Sequence, residues 1–344
     1  MSNLDEFWSP GVEPIQLVCR WKETEDTESF LFNVAGNAEK RFHFKPGQFV
    51  TLAVNTGDNT HYRAYSISSV PGENHIQLTV KRVPDGKVSN WLIDNLAVNQ
   101  ALSTLGIAGE FNLENCPPKD KVLLLGAGCG ITPVMSMARS LMTKQHGDVC
   151  FVQCARDKNA ELYREELSIL TTGYPNRFSN KLLLETSDDQ DVPEGRISRE
   201  YLDAVCPDWQ ERTLYLCGPN GFMEAVKSIA QDAGFNMSEF HSESFTPGDA
   251  QNRVGESKLK VSVPAYSIEK DANAGTSLLE ALESGGLPII AACRSGVCGS
   301  CKCQVTEGSV TKTSTATLTE EEIANGYVLA CSSQLESNVS VNLH

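Results

Sequence analysis

The chain has 344 residues, enough for two or three domains, and its 40% hydrophobic content allows each domain a core. Its formal charge of −15 disfavours nucleic acid as a partner, because neutralising phosphates requires a basic surface. No run approaches the roughly 18 apolar residues that span a bilayer, and the N-terminus has no signal-peptide pattern. We therefore expect a cytoplasmic protein without membrane insertion, whose 12 cysteines bind metal or lie buried as thiols instead of forming disulfides.

The first predicted domain, residues 12–115, contains short alternating stretches at 48–54, 65–69 and 76–83. Pro-Gly pairs at 46–47 and 71–72 indicate turns between them. Short strands at close spacing are typical of a small antiparallel β-barrel.

This barrel carries three groups of residues with chemistry of their own. Arg63, Tyr65 and Ser66 combine a cation, an aromatic ring and a hydroxyl, and further on Lys81 and Arg82 form a basic pair. The third group is a turn with Gly86, Val88 and Ser89 before a predicted helix over 90–96. Taken singly, each residue is as readily a surface charge or an ordinary strand side chain, but the order of the three groups is specific.

That order resembles the flavin barrels of the ferredoxin-reductase superfamily, which carry R-x-Y-[S/T], then a basic strand and a Gly-x-x-Ser turn. The resemblance implies that Arg63 pairs with a flavin phosphate, Tyr65 covers the flavin, and Ser66 reaches the flavin N5 as a catalytic residue. It also implies a second phosphate grip, which favours FAD over FMN. The residues of that grip would be Lys81, Arg82, Gly86, Val88 and Ser89.

The second predicted domain, residues 116–246, opens with an apolar run from 121 that reads as a parallel strand buried on both faces. A glycine loop follows, with Gly126, Gly128 and Gly130, whose spacing is not G-x-G-x-x-G. It resembles instead the superfamily's glycine turn that ends in Thr-Pro. Thr132 is predicted to cap a helix over 134–142 and Pro133 to be its first residue, so that free N–H groups face a pyrophosphate.

Predicted strands and helices then alternate, which favours a parallel sheet with ligands at the carboxyl ends of its strands. The strands are 149–154, 181–186 and 214–217, and the helices are 163–170, 199–205 and 222–233. Arg156 follows the second strand, where the family binds the adenosine ribose. It could accept a 2′-phosphate or pair with a carboxylate, so NADH is preferred over NADPH by resemblance alone.

Two further strand ends carry candidate residues. Cys217 and Gly218 match the superfamily's C-G-P, which lies beside the nicotinamide. We interpret Cys217 as a small buried residue and Gly218 as the removal of a side chain where backbone approaches closely. In related reductases the segment with Glu243 and Phe245 lies against the flavin. Glu243 is a catalytic candidate that could polarise or relay a proton near N5, or equally an ordinary surface carboxylate.

Residues 247–257 are polar, contain Pro and Gly and show no periodicity, which predicts a flexible tether. The third predicted domain, residues 258–344, has strands at 259–263, 302–306 and 339–341 and a short helix ending at Gly285. This pattern is typical of a β-grasp ferredoxin. The tether would let such a domain approach the flavin and then a partner.

The cysteines of this domain indicate its chemistry. Cys293, Cys298 and Cys301 stand at C-x4-C-x2-C spacing with Cys331 further on, which is the plant-type pattern for a [2Fe–2S] cluster. The loop also contains glycines at 296 and 299, which allow the backbone to wrap around a cluster. Four thiolates also suit zinc, although structural zinc sites usually pair C-x2-C units. Cys303 is interpreted as a buried strand residue.

Together these features predict a multidomain chain made of an antiparallel β-barrel flavin domain, an α/β parallel-sheet NAD domain and an α+β β-grasp ferredoxin domain. The resemblance spans all three domains and is closest to the NADH oxidoreductases of the hybrid cluster protein. It implies a monomeric enzyme that passes electrons from NADH through FAD and [2Fe–2S] to that protein, which reduces nitric oxide or hydroxylamine. Two alternatives are the reductase component of a Rieske-type or other oxygenase, and a relay subunit that does not oxidise NADH, against which the intact glycine loop argues.

Overall fold

The structure is a computed structural model that describes residues 7–57, 59–245, 257–294, 296–315 and 317–343. The chain divides into two compact units, Met1–Glu243 and Ser244–His344. Of the predicted tether, only Ser257 lies within the described residues, and the predicted domain limits stay predictions. Within the described ranges, no helix is both long and apolar enough to cross a membrane.

The first unit begins with a six-stranded antiparallel sheet in the order β4-β3-β6-β1-β2-β5. Its elements are β1 (Ile15–Thr24), β2 (Thr27–Val34), β3 (Phe49–Asn55), β4 (Thr60–Ser66), β5 (Ile76–Lys81), α1 (Lys87–Asn95) and β6 (Ala101–Ala108). An antiparallel bridge between Ile67 and Leu78 joins the two outer strands and closes the sheet into a barrel. The predicted strand over 65–69 was misplaced: β4 ends at Ser66, because the chain leaves the sheet at that bridge.

The barrel is filled by one alternating set of side chains on each strand. Phe30, Phe32, Ile76 and Leu78 are almost completely buried in this core. The opposite face of these strands carries polar residues, Ser29 on β2 and Gln77 and Thr79 on β5, which by periodicity assigns them to solvent. The structure buries this second face as well, since Ser29 and its neighbours are covered by the following part of the unit.

The rest of the first unit is a five-stranded parallel sheet in the order β11-β10-β7-β8-β9. The strands are β7 (Lys121–Ala127), β8 (Asp148–Ala155), β9 (Phe178–Leu184), β10 (Thr213–Cys217) and β11 (Phe240–Glu243). The helices are α2 (Ile131–Thr143), α3 (Arg164–Gly173), α4 (Arg199–Val205) and α5 (Asn220–Asp232). Leu124 packs in the core beside α2 and α3, whereas Leu125 packs in the core beside α4 and α5. The strand predicted to be buried on both faces is therefore confirmed.

The second unit is a mixed five-stranded sheet, β13-β12-β18-β14-β16, with a separate pair of strands β15 and β17. The strands are β12 (Lys258–Val263), β13 (Ile268–Asn273), β14 (Lys302–Glu307), β15 (Val310–Lys312), β16 (Tyr327–Leu329), β17 (Ser333–Leu335) and β18 (Val339–Asn342), and the helices are α6 (Leu278–Ser284) and α7 (Glu320–Ala324). β12 pairs with β18 in parallel and the other pairs of the sheet are antiparallel. α6 buries Leu278, Leu279 and Leu282 against the sheet.

Candidate functional site

A cavity of about 430 Å³ lies at the carboxyl ends of the parallel strands. Parallel sheets bind ligands at this edge. The cavity has an apolar wall with Leu162, Leu183, Ile197 and Phe222, and Lys81 of the barrel also lines it. Its size and mixed lining suit an extended dinucleotide with an aromatic base.

The glycine loop borders this cavity through Gly128. A Cβ at Gly126 would lie 2.9 Å from the Cα of Ile131, and one at Gly130 would lie 2.3 Å from the carbonyl carbon of Cys217. Gly128 differs from both, since its φ is +53° and no heavy atom lies within 4 Å of its ideal Cβ position. Two glycines therefore allow the loop to pack, and Gly128 leaves room for a ligand on the cavity side.

Helix α2 begins earlier than the sequence predicted. It starts at Ile131 with Gly130 as its N-cap, so Thr132 and Pro133 are its second and third residues and not its cap and first residue. The 3-10 turn Gly128–Gly130 continues into the helix, and Thr132 Oγ1 donates to the Cys129 carbonyl at 2.9 Å. The role of the start of α2 in binding an anion stays a prediction.

The predicted nicotinamide end lies where β10 and β11 finish side by side. Cys217 is opposite Gly126 on one side and Glu243 on the other. Cys217 is fully buried, and burial, with smaller contributions from Glu243 and Cys129, raises the pKa of its thiol well above the usual value. A neutral, buried thiol agrees with its interpretation as a small packing residue. At Gly218, a Cβ would lie 2.7 Å from the Phe222 ring.

Glu243 is 7% exposed, so it is not the ordinary surface carboxylate that was one of its two interpretations. Phe245 is 40% exposed and falls in the second unit, and its contact with a flavin stays a prediction.

The predicted adenosine end of the cavity is bordered by charged residues. Arg156 lies there, and its Nε donates to Asp157 Oδ2 at 3.0 Å, a contact that raises the pKa of the arginine and lowers that of the aspartate. Of the two partners predicted for Arg156, the structure contains the carboxylate. Glu185 and Arg196 line the same rim and were not predicted from the sequence. Glu185 directly follows β9, which pairs with β8, and Arg196 lies just beyond the residue that pairs with the end of β9.

The candidate flavin residues come together on β4. Arg63 and Tyr65 lie on the same face of the strand. Ser66, which ends the strand, is 6% exposed. Arg63 Nη1 donates to the Tyr62 carbonyl at 2.7 Å. Burial raises the pKa of the Tyr65 phenol, an effect that Arg63 opposes and Cys129 reinforces. Cys129 belongs to the glycine loop, so the flavin strand and the dinucleotide loop are neighbours.

The residues predicted to bind the pyrophosphate of FAD lie in two separate places. Lys81 pairs with Asp26 at 3.3 Å and lines the dinucleotide cavity. The Arg82 guanidinium instead pairs with Asp94 on α1 at 2.6 Å.

The helix α1 starts at Lys87 and not at residue 90 as predicted. Val88 is therefore in the barrel core, and the Ser89 hydroxyl accepts a hydrogen bond from the Val83 N–H at 3.2 Å. Gly86 is the N-cap, so the backbone N–H groups after it are the part of the grip that fits a phosphate.

In the second unit the four predicted cysteine ligands converge. The Cys331 thiol contacts those of Cys293 and Cys301, and the Cys298 thiol contacts that of Cys293. Cys301 and Cys331 are buried, with 2% and 5% exposure, whereas Cys293 and Cys298 are partly exposed.

Backbone N–H groups point at these sulfurs. Gly296 N donates to Cys331 Sγ at 3.2 Å, Val297 N to Cys293 Sγ at 3.4 Å, and Cys331 N to Cys301 Sγ at 3.4 Å. Such donors stabilise anionic sulfur ligands. Four converging cysteines, three of which accept N–H···S bonds, therefore fit a [2Fe–2S] cluster.

The described residues contain no group of three or more His, Cys, Asp or Glu side chains arranged for a single metal ion. A two-iron cluster does not need that arrangement, because its four thiolates are shared between two irons. Cys303 is fully buried in the core of the unit, and burial, with a smaller effect of Cys301, raises the pKa of its thiol to about 12.

Three regions of the chain match known families. Residues 14–113 match the oxidoreductase FAD-binding domain, residues 124–228 the oxidoreductase NAD-binding domain, and residues 265–336 the 2Fe-2S iron-sulfur cluster binding domain. These matches confirm the predicted cofactors FAD, NAD and [2Fe–2S], and the 2Fe-2S match replaces the zinc alternative.

The chain is also similar to complete reductases. It is 35% identical to the glycine betaine monooxygenase reductase subunit of Chromohalobacter salexigens, over 98% of this chain and 96% of that one. It is 39% identical to the NADH oxidoreductase HCR of Escherichia coli, over 85% of this chain and 86% of that one. Phthalate dioxygenase reductase has the same fold, with a TM-score of 0.67, 23% identity, and coverage of 96% and 97% of the two chains. The predicted three-part fold class is therefore confirmed.

Proposed function

Because this chain belongs to the ferredoxin-reductase superfamily, as an oxidoreductase with FAD-binding, NAD-binding and 2Fe-2S domains, we propose that it takes electrons from NADH and delivers them to a separate redox protein. One observation carries this proposal above all: a dinucleotide cavity beside the candidate flavin strand and a loop with four converging cysteines occur on the same chain. FAD accepts two electrons as a hydride and releases them singly, as a [2Fe–2S] cluster requires.

The residues of the first unit orient the reacting groups. The first-turn N–H groups of α2 and the ammonium group of Lys81 would bind the pyrophosphate of NADH. Arg63 would hold a flavin phosphate, and Tyr65 would cover the flavin. The buried Cys217 would exclude water beside the nicotinamide.

Ser66 and Glu243 are the proposed catalytic residues. Both are buried, with 6% and 7% exposure, so a hydrogen bond from either to the flavin would be little weakened by water. Ser66 would hydrogen-bond the flavin N5, and Glu243 would move or hold a proton there. Replacing Ser66 with Ala while FAD stays bound should slow flavin reduction without changing the affinity for NADH, which stopped-flow absorbance measures.

In the second unit the chain brings four cysteines together, two of them buried. The N–H groups of Gly296 and Val297 donate to two of those sulfurs and would favour the extra negative charge of a reduced site. Iron and acid-labile sulfide analysis of anaerobically prepared protein tests this step. A correctly folded sample that contained neither would refute the proposal.

Two acceptors are supported by different measures. The higher identity, 39%, is to the HCR oxidoreductase and supports the hybrid cluster protein as acceptor. The match over 98% of the chain is to an oxygenase reductase subunit and supports an oxygenase component. Purified protein should be reduced with NADH under anaerobic conditions and offered each acceptor, and the rate of acceptor reduction decides between them.

The relay-subunit alternative and the monomeric state are tested on the same sample. An FAD-loaded protein whose flavin is not bleached by NADH would be a relay subunit and would contradict the proposal. Light scattering during size-exclusion chromatography measures the oligomeric state, which remains a prediction.

A further inference from the structure

A buried polar network joins the barrel to the parallel sheet inside the first unit. We name it the polar joint and define it by seven residues: Glu23, Ser29, Ser68, Thr79, Ser136, Arg139 and Tyr163. The first four belong to the barrel and the last three to helices α2 and α3 or their caps. Its members are largely buried, with Ser68 and Ser136 at 0% and Tyr163 at 4% exposure.

One half of the joint is a closed ring of hydrogen bonds. The Tyr163 hydroxyl and Thr79 Oγ1 are 2.6 Å apart, Thr79 Oγ1 and Ser29 Oγ are 2.7 Å apart, and Ser29 Oγ donates to Glu23 Oε1 at 2.6 Å. The Tyr163 backbone N–H donates to Glu23 Oε2 at 3.2 Å and completes the ring.

The chemistry of the ring determines the direction of its hydrogen bonds. A carboxylate only accepts, so Ser29 uses its single proton on Glu23 and must accept from Thr79. Thr79 in turn accepts from the phenol of Tyr163. Buried hydrogen bonds of this kind are costly to leave unmade, so the ring favours one docking geometry.

Tyr163 is held in a backbone conformation suited to this contact. It is the N-cap of α3 and has a φ of +54°, which is uncommon for a residue with a side chain. The polar joint thus includes a locally strained residue whose conformation is maintained by its bonds at both the backbone and the phenol.

The other half of the joint connects α2 to the segment that follows β4. Ser136 Oγ donates to the Ser69 carbonyl at 2.7 Å. The Arg139 guanidinium donates to the Ser68 carbonyl and pairs with Glu166 of α3. It also lies 5.6 Å from the centre of the Tyr163 ring, so the two halves of the joint touch.

The position of these residues on α2 relates the joint to both candidate sites. Thr132, Ser136 and Arg139 are spaced by four and three residues and therefore lie on one face of the helix. The start of this face adjoins the candidate dinucleotide loop. About 10 Å further along the helix, this face is hydrogen-bonded to the segment just beyond Ser66. In the same way Thr79 is two residues from Lys81, which lines the cavity.

We propose that Arg139 and Tyr163 are positioning residues for hydride transfer, because the polar joint sets the distance between the candidate dinucleotide loop at the start of α2 and the flavin strand β4. This inference rests on the proposed function. Neither residue lines the dinucleotide cavity, so their effect is transmitted through the docking of the two halves. Small displacements of reacting groups are costly, with about 1 Å capable of a hundredfold loss in rate.

The test compares Arg139→Gln and Tyr163→Phe with Tyr201→Phe. The hydroxyl of Tyr201 is buried and has no hydrogen-bond partner within the described part of the chain, which makes that variant the matched control. Each FAD-loaded variant is mixed with NADH under anaerobic conditions, and stopped-flow absorbance gives the limiting rate of flavin reduction and the Kd for NADH. We expect Arg139→Gln to lower the limiting rate roughly tenfold and Tyr163→Phe about threefold, with Kd changed less than about twofold.

Two further readouts separate positioning from general loss of structure. The kinetic isotope effect with NADH deuterated at the transferred position should change in both joint variants and not in Tyr201→Phe. Hydrogen exchange of the cofactor-free chain should become faster at residues 67–69 and 163–166 in the joint variants. An unchanged limiting rate in folded, FAD-loaded Tyr163→Phe and Arg139→Gln would overturn the inference, as would an equal loss in Tyr201→Phe.

The failure of the proposed function gives a different result. If NADH does not reduce the flavin of the parent protein, the proposed function is wrong for all variants alike. The hydrogen-exchange comparison would still test the joint, and unchanged exchange at both segments would show that it does not couple the two halves.

Discussion

The glycine loop at residues 126–132 and the cysteine loop at residues 291–303 both depend on glycine, but for different physical reasons. In the glycine loop, Gly126 and Gly130 have ordinary φ values and lack side chains because the protein's own backbone lies where a Cβ would be. In the cysteine loop, Gly296 and Gly299 have φ values of +77° and +74°, which a side chain disfavours. Packing alone requires these two glycines in the first loop, whereas the second loop adds to close packing a positive φ that turns N–H groups toward sulfur.

The comparison teaches where each loop should fail. A defect in the glycine loop is transmitted to the packing of α2 against β10 and should appear as lost stability or lost NADH binding. A defect in the cysteine loop is confined to the second unit and should appear as lost iron, with flavin reduction left intact.

The largest expected effect comes from the cysteine loop. Cys298→Ser should abolish electron delivery to any protein acceptor, because a cluster ligand is lost, while flavin reduction by NADH stays within about twofold of the parent. Acceptor reduction and stopped-flow flavin bleaching measure the two steps. A variant that folds but whose flavin NADH no longer reduces would show that the order of carriers is wrong.

Cys303→Ala is the control for this experiment, because Cys303 is the nearby cysteine that is buried in the core without a predicted ligand role. It should retain full iron content and lose about 1 kcal/mol of stability, as expected for one buried heavy atom. Loss of iron in this variant would contradict the assignment of the four ligands.

The next effect tests the backbone of the same loop. Gly296→Ala would place a Cβ 2.7 Å from Ser314 Cβ and 2.8 Å from Ser332 Cβ at a positive φ. We expect most of the iron to be lost and the first unit to be unaffected. Iron analysis and the limiting rate of flavin reduction check both halves of this prediction. Full iron retention would mean that the loop tolerates the side chain and that its curvature is not what binds the cluster.

In the glycine loop, Gly130→Ala and Gly128→Ala should differ in kind. The Cβ at residue 130 would overlap the backbone of Cys217, so we expect at least about 3 kcal/mol of lost stability. The Cβ at residue 128 meets no atom within 4 Å, and only its φ of +53° opposes it, at a cost of about 1 to 2 kcal/mol. Gly128→Ala should therefore fold and bind NADH more weakly. Thermal unfolding and NAD⁺ titration distinguish them, and equal stability of the two variants would contradict this account.

The smallest effect is expected at the opposite edge of the parallel sheet. Burial alone would raise the pKa of Asp208, but hydrogen bonds from Arg212 and Lys121 hold that pKa at about 2, below its usual 3.8. Because the folded pKa is depressed, this contribution to stability is complete above pH 3.8 and is lost as the pH falls through about 2.

Asp208→Asn should therefore lower the free energy of unfolding at neutral pH by about 1 kcal/mol after allowance for solvent screening, and the difference should shrink toward pH 2. Denaturant unfolding over this pH range measures the effect. NADH affinity and iron content should not change, since Asp208 lies at the other end of the parallel sheet from the glycine loop and in a different unit from the cysteine loop. A constant difference across the range would show that the ion pairs do not set the pKa.

The cysteine ligands and the glycine loop could be predicted from sequence because each depends on local spacing. Three of the four cysteines lie within a few residues of each other, and the loop directly follows an apolar run. Local patterns also placed most strands and helices correctly within a few residues. The starts of α1 and α2 were placed three and two residues too late, because the glycines Gly86 and Gly130 are their N-caps.

What could not be predicted depended on residues distant in sequence. Lys81 and Arg82 are adjacent in the chain, yet alternate strand geometry sends one to the dinucleotide cavity and the other to Asp94 on α1. Glu185 and Arg196 enter the same cavity rim only because the parallel strands bring their ends together.

The sequence by itself determined the identity of the cofactor loops, since metal ligation and phosphate binding require particular residue types at short spacing. Only the tertiary structure decided that the polar face of β2 and β5 is an internal joint and not a solvated surface. Period-two alternation distinguishes the two faces of a strand but not what covers the second one. A polar residue such as Thr79 therefore looks the same in the sequence whether its hydroxyl meets water or, as here, the phenol of Tyr163 from another part of the fold.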